Sequence, residues 1–471
     1  MKQFDVAVIG AGPAGQRAAI QAAKLGASVV VIERLPTVGG AAINGGTIPS
    51  KALREAVLYL TGFRERELYG VSYSVKQDIL LQDLTYRLDH ILRREVAVME
   101  SQLARNGVEV MFGRASFSGD HRLVIDRGHE KSEIVAENVI LAPGSKPAHS
   151  EQVPIDGVRI FDTDQILNLR EIPRRLAVIG AGVVGLEYAC MFAALGVRVT
   201  LVEKQEQLIP FVDREIVEAL IYHMRDTGVL FQLGEGVDSV TIEGDEVVAT
   251  TESRKRVCAD ALLYTIGRVG STDQLGLENI GLGSDDRGRL TVDDRYRTSV
   301  PYVYAAGDVI GFPALASSSM EQGRIAARNA LGAPTDGVQD PLPFGIYTIP
   351  EISIVGKTEP QLTRDRVPYE IGLARYSETA RGQIVGDSTG RLKLLVHTET
   401  REILGVHIIG EGASELIHIG QTVIALNGKL DYLVNNVFNY PTLAECYKVA
   451  ALDAYNKISG YAVYSTLRQA A

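Results

Sequence analysis

Two stretches of the chain repeat one another. Residues 5–34 read DVAVIGAGPAGQRAAIQAAKLGASVVVIER and residues 175–204 read RLAVIGAGVVGLEYACMFAALGVRVTLVEK, so Gly10, Gly12, Gly15, Gly26 and Glu33 match Gly180, Gly182, Gly185, Gly196 and Glu203 at one constant offset of 170 residues. Each copy passes from an apolar β-rich run through Gly-x-Gly-x-x-Gly into an Ala-rich helical stretch closed by glycine, then into a second β-branched run that ends on an acidic residue. That order predicts a βαβ unit. The three glycines have separate duties: the first makes a tight turn, the second lets backbone approach a pyrophosphate, and the third lets helix pack on strand. The helix N-terminus then faces the phosphates, and the carboxylate accepts from a ribose hydroxyl. Two such units on one chain imply two dinucleotides.

The rest of the chain is consistent with a multidomain α/β protein. Its 471 residues exceed the roughly 250–300 at which a single core stops growing. Val139–Leu141 and Leu262–Ile266 are short β-rich runs that end near Gly144 and Gly267, and 302–308 reads as another strand ending in Gly and Asp. From about Pro341 strand-rich segments (Glu370–Ala374, Leu392–His397, Leu404–Ile409) are followed by helical ones, which predicts an α+β domain. The expected architecture is α/β, with two Rossmann-like dinucleotide-binding domains and a C-terminal α+β domain. The boundaries expected are 1–150 with 275–340, then 151–274, then 341–471. A formal charge of −10, from 48 Lys+Arg against 58 Asp+Glu without like-charge runs, argues against nucleic acid and against a polybasic membrane anchor. The most apolar stretch, Leu176 to Val202, carries three glycines in its first ten residues and Glu187 near its middle, so membrane insertion is not expected. Three cysteines are too few for a disulfide framework and point to a reducing compartment, the cytoplasm.

The ordered motifs resemble the flavoprotein disulfide reductase family, which contains lipoamide dehydrogenase and glutathione reductase. They run the whole length: GAGPAG with Glu33, VGGAAINGGTIPSKAL at 38–53, Gly113, APGSKP at 142–147, GAGVVG with Glu203, and TIGR at 265–268. YAAGDV at 304–309, YTIPE at 347–351, LGVHIIG at 404–410 and NYPTLAE at 439–445 complete the set. The resemblance implies FAD on the first unit, with Gly10, Gly12, Pro13, Ala14, Gly15, Glu33, Arg34, Gly40, Ala41, Thr47, Lys51, Gly113, Gly144, Asp308 and Ala316 as its contacts. Asp308 would hold the ribityl chain, and backbone near Ala316 the flavin. The second unit would bind NAD(H) or NADP(H) through Gly180, Gly182, Val183, Val184, Gly185, Glu187, Glu203, Lys204, Val237 and Gly267. The C-terminal domain would form a homodimer. Pro143 stands where the family's ATGS has threonine.

Departures from the family decide the expected activity. Its disulfide members carry two cysteines on the helix beside the flavin, and a histidine before Pro-Thr that serves the substrate thiol. Here those places hold Ala42, Thr47 and Tyr440. Neither thiolate can form, so lipoamide or glutathione reduction is excluded. Cys190, Cys258 and Cys446 lie elsewhere without a pairing motif, and Cys190 reads as a small buried apolar residue. The nicotinamide half remains: the family pairs the lysine after Pro-Ser with a glutamate on the second unit's helix, here Lys51 and Glu187. A cation near the flavin stabilises the reduced ring, and a carboxylate keeps the buried ammonium charged.

Thr47 and Tyr440, with TIPSKALREAVLYLTG, DVIGFPALA, SMEQGR and NYPTLAE, resemble the family's soluble transhydrogenase subgroup. Ala42 departs even from that subgroup, which commonly keeps its first cysteine. The implied activity is FAD-dependent hydride transfer between NADPH and NAD+ without a disulfide. Lys51, Glu187, Tyr440 and Glu445 are the catalytic candidates, the last two reaching the flavin of the opposite subunit. Glu203 would meet a 2′-phosphate as a like charge, at a cost of roughly 1–4 kcal/mol near 4 Å. Only Lys204, and Arg198 if it lies close, would offset that unless Glu203 swings out. An NADH-oxidising enzyme that passes electrons to a quinone or dye is the alternative; a retired FAD-binding redox sensor is a third.

Overall fold

The computed structural model describes residues 1–70, 72–335, 337 and 340–469, with side chains throughout except at Glu67 and 461–469. The repeat emerges as two sheets, each built on parallel strands, the first extended by the antiparallel strands Arg122–Asp126 and Arg114–Gly119. In the first, the strands follow the order Glu109–Phe112, Val29–Glu33, Lys2–Ile9, Lys131–Leu141, Arg122–Asp126 and Arg114–Gly119. Val303–Ala305 pairs in parallel with Lys131–Leu141, which brings the expected 302–308 strand onto this sheet. The second sheet runs Leu230–Leu233, Arg198–Glu203, Arg175–Ile179, Ala261–Tyr264 and Ile160–Asp162, all parallel. Val29–Glu33 and Ala261–Tyr264 are buried along their whole lengths, as parallel strands covered on both faces should be.

The sequence offset survives in the register. Val6 pairs with Val29 and Ile9 with Ile32; 170 residues later Leu176 pairs with Val199 and Ile179 with Val202. In the first copy the helix Pro13–Lys24 crosses the helix Ala316–Ala330 in backbone contact, since a Cβ on Gly323 would lie 2.0 Å from the Ala14 carbonyl oxygen. In the second copy the helix Val183–Ala194 is buried over nearly its whole surface.

The chain leaves the first sheet and returns to it through one ribbon. Ser145–Pro147 pairs antiparallel with Arg268–Gly270, in the register Ser145 to Gly270 and Pro147 to Arg268. Beside the second sheet lies a meander of Val237–Glu243, Glu246–Thr251 and Arg256–Ala259.

The C-terminal part is an antiparallel sheet in the order Phe344–Ile346, Ile352–Gly356, Ile403–Ile409, Arg391–His397 and Tyr369–Arg375. The helices Ala413–Ala425 and Glu445–Gln469 cover it and share its core with Leu394, Val406 and Tyr447. An ionic cluster joins this sheet to the start of the helix Arg214–Asp226, which follows the strand Arg198–Glu203. Lys393, with no exposed side-chain surface, meets Asp213 at 2.9 Å, Glu215 at 3.0 Å and Glu359. Burial opposes the lysine's charge, but hydrogen bonds to Glu359 and Asp213 outweigh it and raise its pKa above the ordinary value. Among the described residues no helix is long and apolar enough to cross a membrane.

Candidate active site

The two glycine turns are built alike. The Gly10 N–H donates to the Ile32 carbonyl and that of Gly180 to Val202, each at 2.8 Å. Gly10 and Gly180 adopt φ of +100° and +98°, a region L side chains rarely enter. A Cβ on Gly15 would stand 1.8 Å from the Gly10 oxygen, and one on Gly185 2.0 Å from that of Gly180, so helix and strand touch through backbone. Gly12 and Gly182 differ from these. A Cβ on Gly12 would meet nothing closer than the Gly40 Cα at 3.7 Å, and one on Gly182 meets nothing within 4 Å. The protein's own packing does not require glycine at either place; a pyrophosphate resting on the turn does.

Around the first turn lies a long cleft. Every residue expected to touch FAD lines it except Gly15, which lies beneath the turn, and Lys51, one helical turn beyond Thr47. Glu33 and Arg34 stand at one end, the Gly10–Ala14 turn in the middle, and Thr47, Asp308 and the N-terminus of the Ala316 helix at the other. Two helix N-termini thus face a cleft whose second glycine is free for a ligand, a donor set that fits FAD. Asp308 is preset by a chain of contacts that the sequence did not reveal. Its Oδ2 accepts from the Ser145 hydroxyl at 2.7 Å, and Ser145 Oγ accepts from Arg268 Nε at 2.8 Å. Arg268 also donates to Asp164 Oδ1 at 2.9 Å, so the TIGR arginine ties the second lobe to the Asp308 end of the cleft.

The places of the two missing cysteines lie on two helices rather than one. Gly40–Asn44 holds Ala42, and Thr47–Thr61 begins at Thr47. Gly45 and Gly46 interrupt them because glycine is a poor helix former, and Gly46 has φ −119° and ψ −111°. One turn on, Lys51 Nζ bonds Glu187 Oε2 at 2.8 Å across 136 residues of sequence. Glu187 is 3% exposed and its other oxygen accepts the Tyr347 N–H at 2.9 Å, so the carboxylate is satisfied on both sides. A buried carboxylate held this way keeps the neighbouring ammonium in place.

At the second turn Glu203 is fixed as Glu33 is. Glu33 accepts from Ala11 and Leu35 N–H, each at 2.8 Å; Glu203 accepts from Ala181 at 2.6 Å and Gln205 at 2.9 Å. Swinging Glu203 outward would break two charge-assisted bonds, so that route to accommodating a 2′-phosphate is unfavourable. Arg198 corrects the sequence expectation: it begins the strand that Glu203 ends, and in a strand five residues span about 16 Å, so it does not serve the ribose. Lys204 is exposed and meets Glu252 at 3.3 Å. Val183 and Val184 open the second helix, Val237 begins the meander two residues after Glu235, and Gly267 closes the loop that follows Tyr264.

Tyr440 and Glu445 do not line the cleft of their own chain. Tyr440 is 72% exposed, and Glu445 keeps one buried oxygen without a hydrogen-bond partner. Cys190 and Cys446 are buried and their thiols are pushed up to about 12, chiefly by desolvation; Cys258 is exposed. All three are unpaired, and none lines the cleft.

Comparison with known proteins agrees with this geometry. Residues 4–323 match the family described as pyridine nucleotide-disulphide oxidoreductase, and residues 342–451 match its dimerisation domain. A protein of Mycobacterium tuberculosis named soluble pyridine nucleotide transhydrogenase is 52% identical over 460 residues, covering 97% of this chain and 98% of its own. One of the same name from Hahella chejuensis is 46% identical, covering 97% and 99%. Among solved structures, LpdA from Mycobacterium tuberculosis superposes with a TM-score of 0.87 at 29% identity over 96% of this chain and 99% of that one. The HOCl-induced flavoprotein disulfide reductase RclA from Escherichia coli gives 0.86 at 26% over 95% and 99%. Two glycine turns in one register, a cleft fitted to FAD and matches over residues 4–323 and 342–451 make this chain a member of the pyridine nucleotide-disulphide oxidoreductase family.

Proposed function

We propose that the chain is an FAD-dependent NAD(P)+ transhydrogenase that moves a hydride between NADPH and NAD+ without a redox disulfide. The observation that carries this reading is the intact Lys51–Glu187 pair beside a cleft whose two cysteine places hold Ala42 and Thr47. Bound FAD supplies the two-electron chemistry, accepting from one nucleotide and giving to another. Lys51 would steady negative charge at the ring, and Glu187 holds that ammonium in place. The second glycine turn seats the nucleotide, with Glu203 at its ribose. Tyr440 and Glu445 complete the site from the opposite subunit of a homodimer, consistent with their absence from their own cleft and with the dimerisation region at 342–451. We assign 1–150 with 275–340 to the FAD domain, 151–274 to the nucleotide domain and 341–471 to the interface, and place the protein in the cytoplasm.

Anaerobic stopped-flow mixing of the oxidised enzyme with NADPH tests the proposal: the flavin should bleach and an NAD+ analogue should restore its colour. Failure of either step overturns it. One observation favours a second reading, NADH oxidation with a quinone acceptor: two backbone N–H groups hold Glu203 in place, and at the proposed ribose position it would repel a 2′-phosphate. Menadione turnover that exceeds transhydrogenation would establish that reading; negligible turnover removes it.

A further inference from the structure

The ion pair at the flavin end of the cleft has a third member. Tyr347 belongs to the C-terminal region, in the link between the strands Phe344–Ile346 and Ile352–Gly356. Its backbone N–H donates to Glu187 Oε1 at 2.9 Å, and its ring lies under Lys51 Nζ, 4.8 Å from the centroid. The lysine, the glutamate and the tyrosine therefore come from three regions: the helix Thr47–Thr61, the helix Val183–Ala194 and the C-terminal sheet.

Each contact has a distinct physical effect. The N–H bond occupies the Glu187 oxygen that Lys51 does not use, so the carboxylate cannot rotate without losing a bond. The ring presents its negative face to the ammonium, an attraction that grows as water is excluded. Lys51 Nζ has the Glu187 carboxylate and, at 3.3 Å, the Ser50 hydroxyl as hydrogen-bond partners, and with the ring in place its side chain is 27% exposed. A ring against the ammonium limits the positions this long side chain can take.

From these contacts we propose that Tyr347 is a positioning residue for the nicotinamide half-reaction: its ring holds the Lys51 ammonium where the flavin needs it. This rests on the reading that places Lys51 beside the flavin. The ring, rather than the phenol, is the working part, which makes phenylalanine a conservative replacement and leucine a disruptive one.

Two measurements on the purified, flavin-loaded chain test it. The first is labelling of Lys51 by an amine-reactive succinimidyl ester, counted by peptide mass spectrometry without nucleotide. The second is the limiting rate of flavin bleaching by NADH, separated from the NADH dissociation constant by titration. Tyr347→Leu should raise Lys51 labelling about threefold or more and slow the limiting rate about 3- to 10-fold, with FAD content and NADH affinity held near wild type. Tyr347→Phe should restore both. Unchanged labelling in Tyr347→Leu overturns the proposal. So does loss of FAD, an effect confined to NADH affinity, or a Tyr347→Phe variant as impaired as Tyr347→Leu. Lys51→Met is the control on the parent reading: if it bleaches at the wild-type rate, Lys51 does not serve the flavin, while the labelling result still judges the hold of Tyr347 on Lys51.

Discussion

The two copies share a register, a turn and a doubly bonded glutamate, yet their surroundings are opposite. Gly12 faces the Gly40 segment, and its cleft is walled by pieces of chain from as far away as Asp308 and Ala316. Gly182 faces open space. Glu33 is 4% exposed, whereas Glu203 is only partly buried. One sequence pattern thus yields two kinds of nucleotide site. A site enclosed by distant chain retains what it binds, since release needs several segments to part; an open one lets its ligand exchange in each turnover. The proposed division of labour, a resident flavin on the first copy and a visiting nicotinamide nucleotide on the second, calls for that difference, and it comes from what packs around the turn, not from the turn itself.

The sharpest way to break this comparison is to fill the helix–strand contact in each copy. Gly15→Ala and Gly185→Ala each force a Cβ to within about 2 Å of backbone oxygen, beyond the roughly 1–3 kcal/mol of ordinary overpacking. The first should yield chain without flavin absorbance. The second should keep its yellow colour yet resist bleaching by NADH; loss of flavin there would mean the copies are not separable.

Milder effects come from the second glycine of each turn, where the fold has room. Gly182→Ala should raise the NADH dissociation constant about tenfold through loss of pyrophosphate contact, with FAD unchanged. Gly12→Ala should instead lose FAD on gel filtration while staying folded by circular dichroism. Smaller again are the glutamates. Glu33→Gln strands one backbone N–H in a buried site and should cost about 1–3 kcal/mol in thermal unfolding. Glu203→Gln, partly solvated, should cost less and raise the NADPH-to-NADH efficiency ratio several-fold as the like charge disappears.

The smallest effect concerns the seam between the second copy and the C-terminal sheet. His407 is fully buried beneath Lys393 and Asp213, and desolvation lowers its pKa below the ordinary 6.5. The folded state therefore binds that proton less readily than the unfolded chain. Its share of stability is present above about pH 6.5 and is lost as pH falls through the lower, folded value. Hydrogen exchange between pH 7.5 and 5.5 should show the helix Arg214–Asp226 loosening before the first copy does, and His407→Gln should flatten the trend.

Much of this was legible in the residues. Glycine spacing, β-branched runs and terminal glutamates are local signals, so both βαβ units could be read off a single string. The Lys51–Glu187 pair was accessible only through family resemblance, because nothing local links residues 136 apart. Three features were out of reach for a common reason. Tyr347 capping that pair, Arg268 reaching Asp308 through Ser145, and Lys393 gathering carboxylates from Asp213, Glu215 and Glu359 are all meetings of distant segments. Periodicity carries no information about which far backbone N–H a carboxylate will find. The Arg198 error had a simpler origin, since closeness in sequence along a strand is distance in space.

The ribbon formed by Ser145–Pro147 and Arg268–Gly270 brings the entry and exit of the second lobe side by side. A lobe whose chain enters and leaves through two adjacent strands can be lengthened or replaced while the first sheet keeps its register, provided Glu187 and Asp213 still meet Lys51 and Lys393 across its other contacts. Exchanging the segment between these strands for its counterpart from an NADP-selective relative should therefore move coenzyme preference as a unit, leaving the flavin lobe to fold around an unaltered seam.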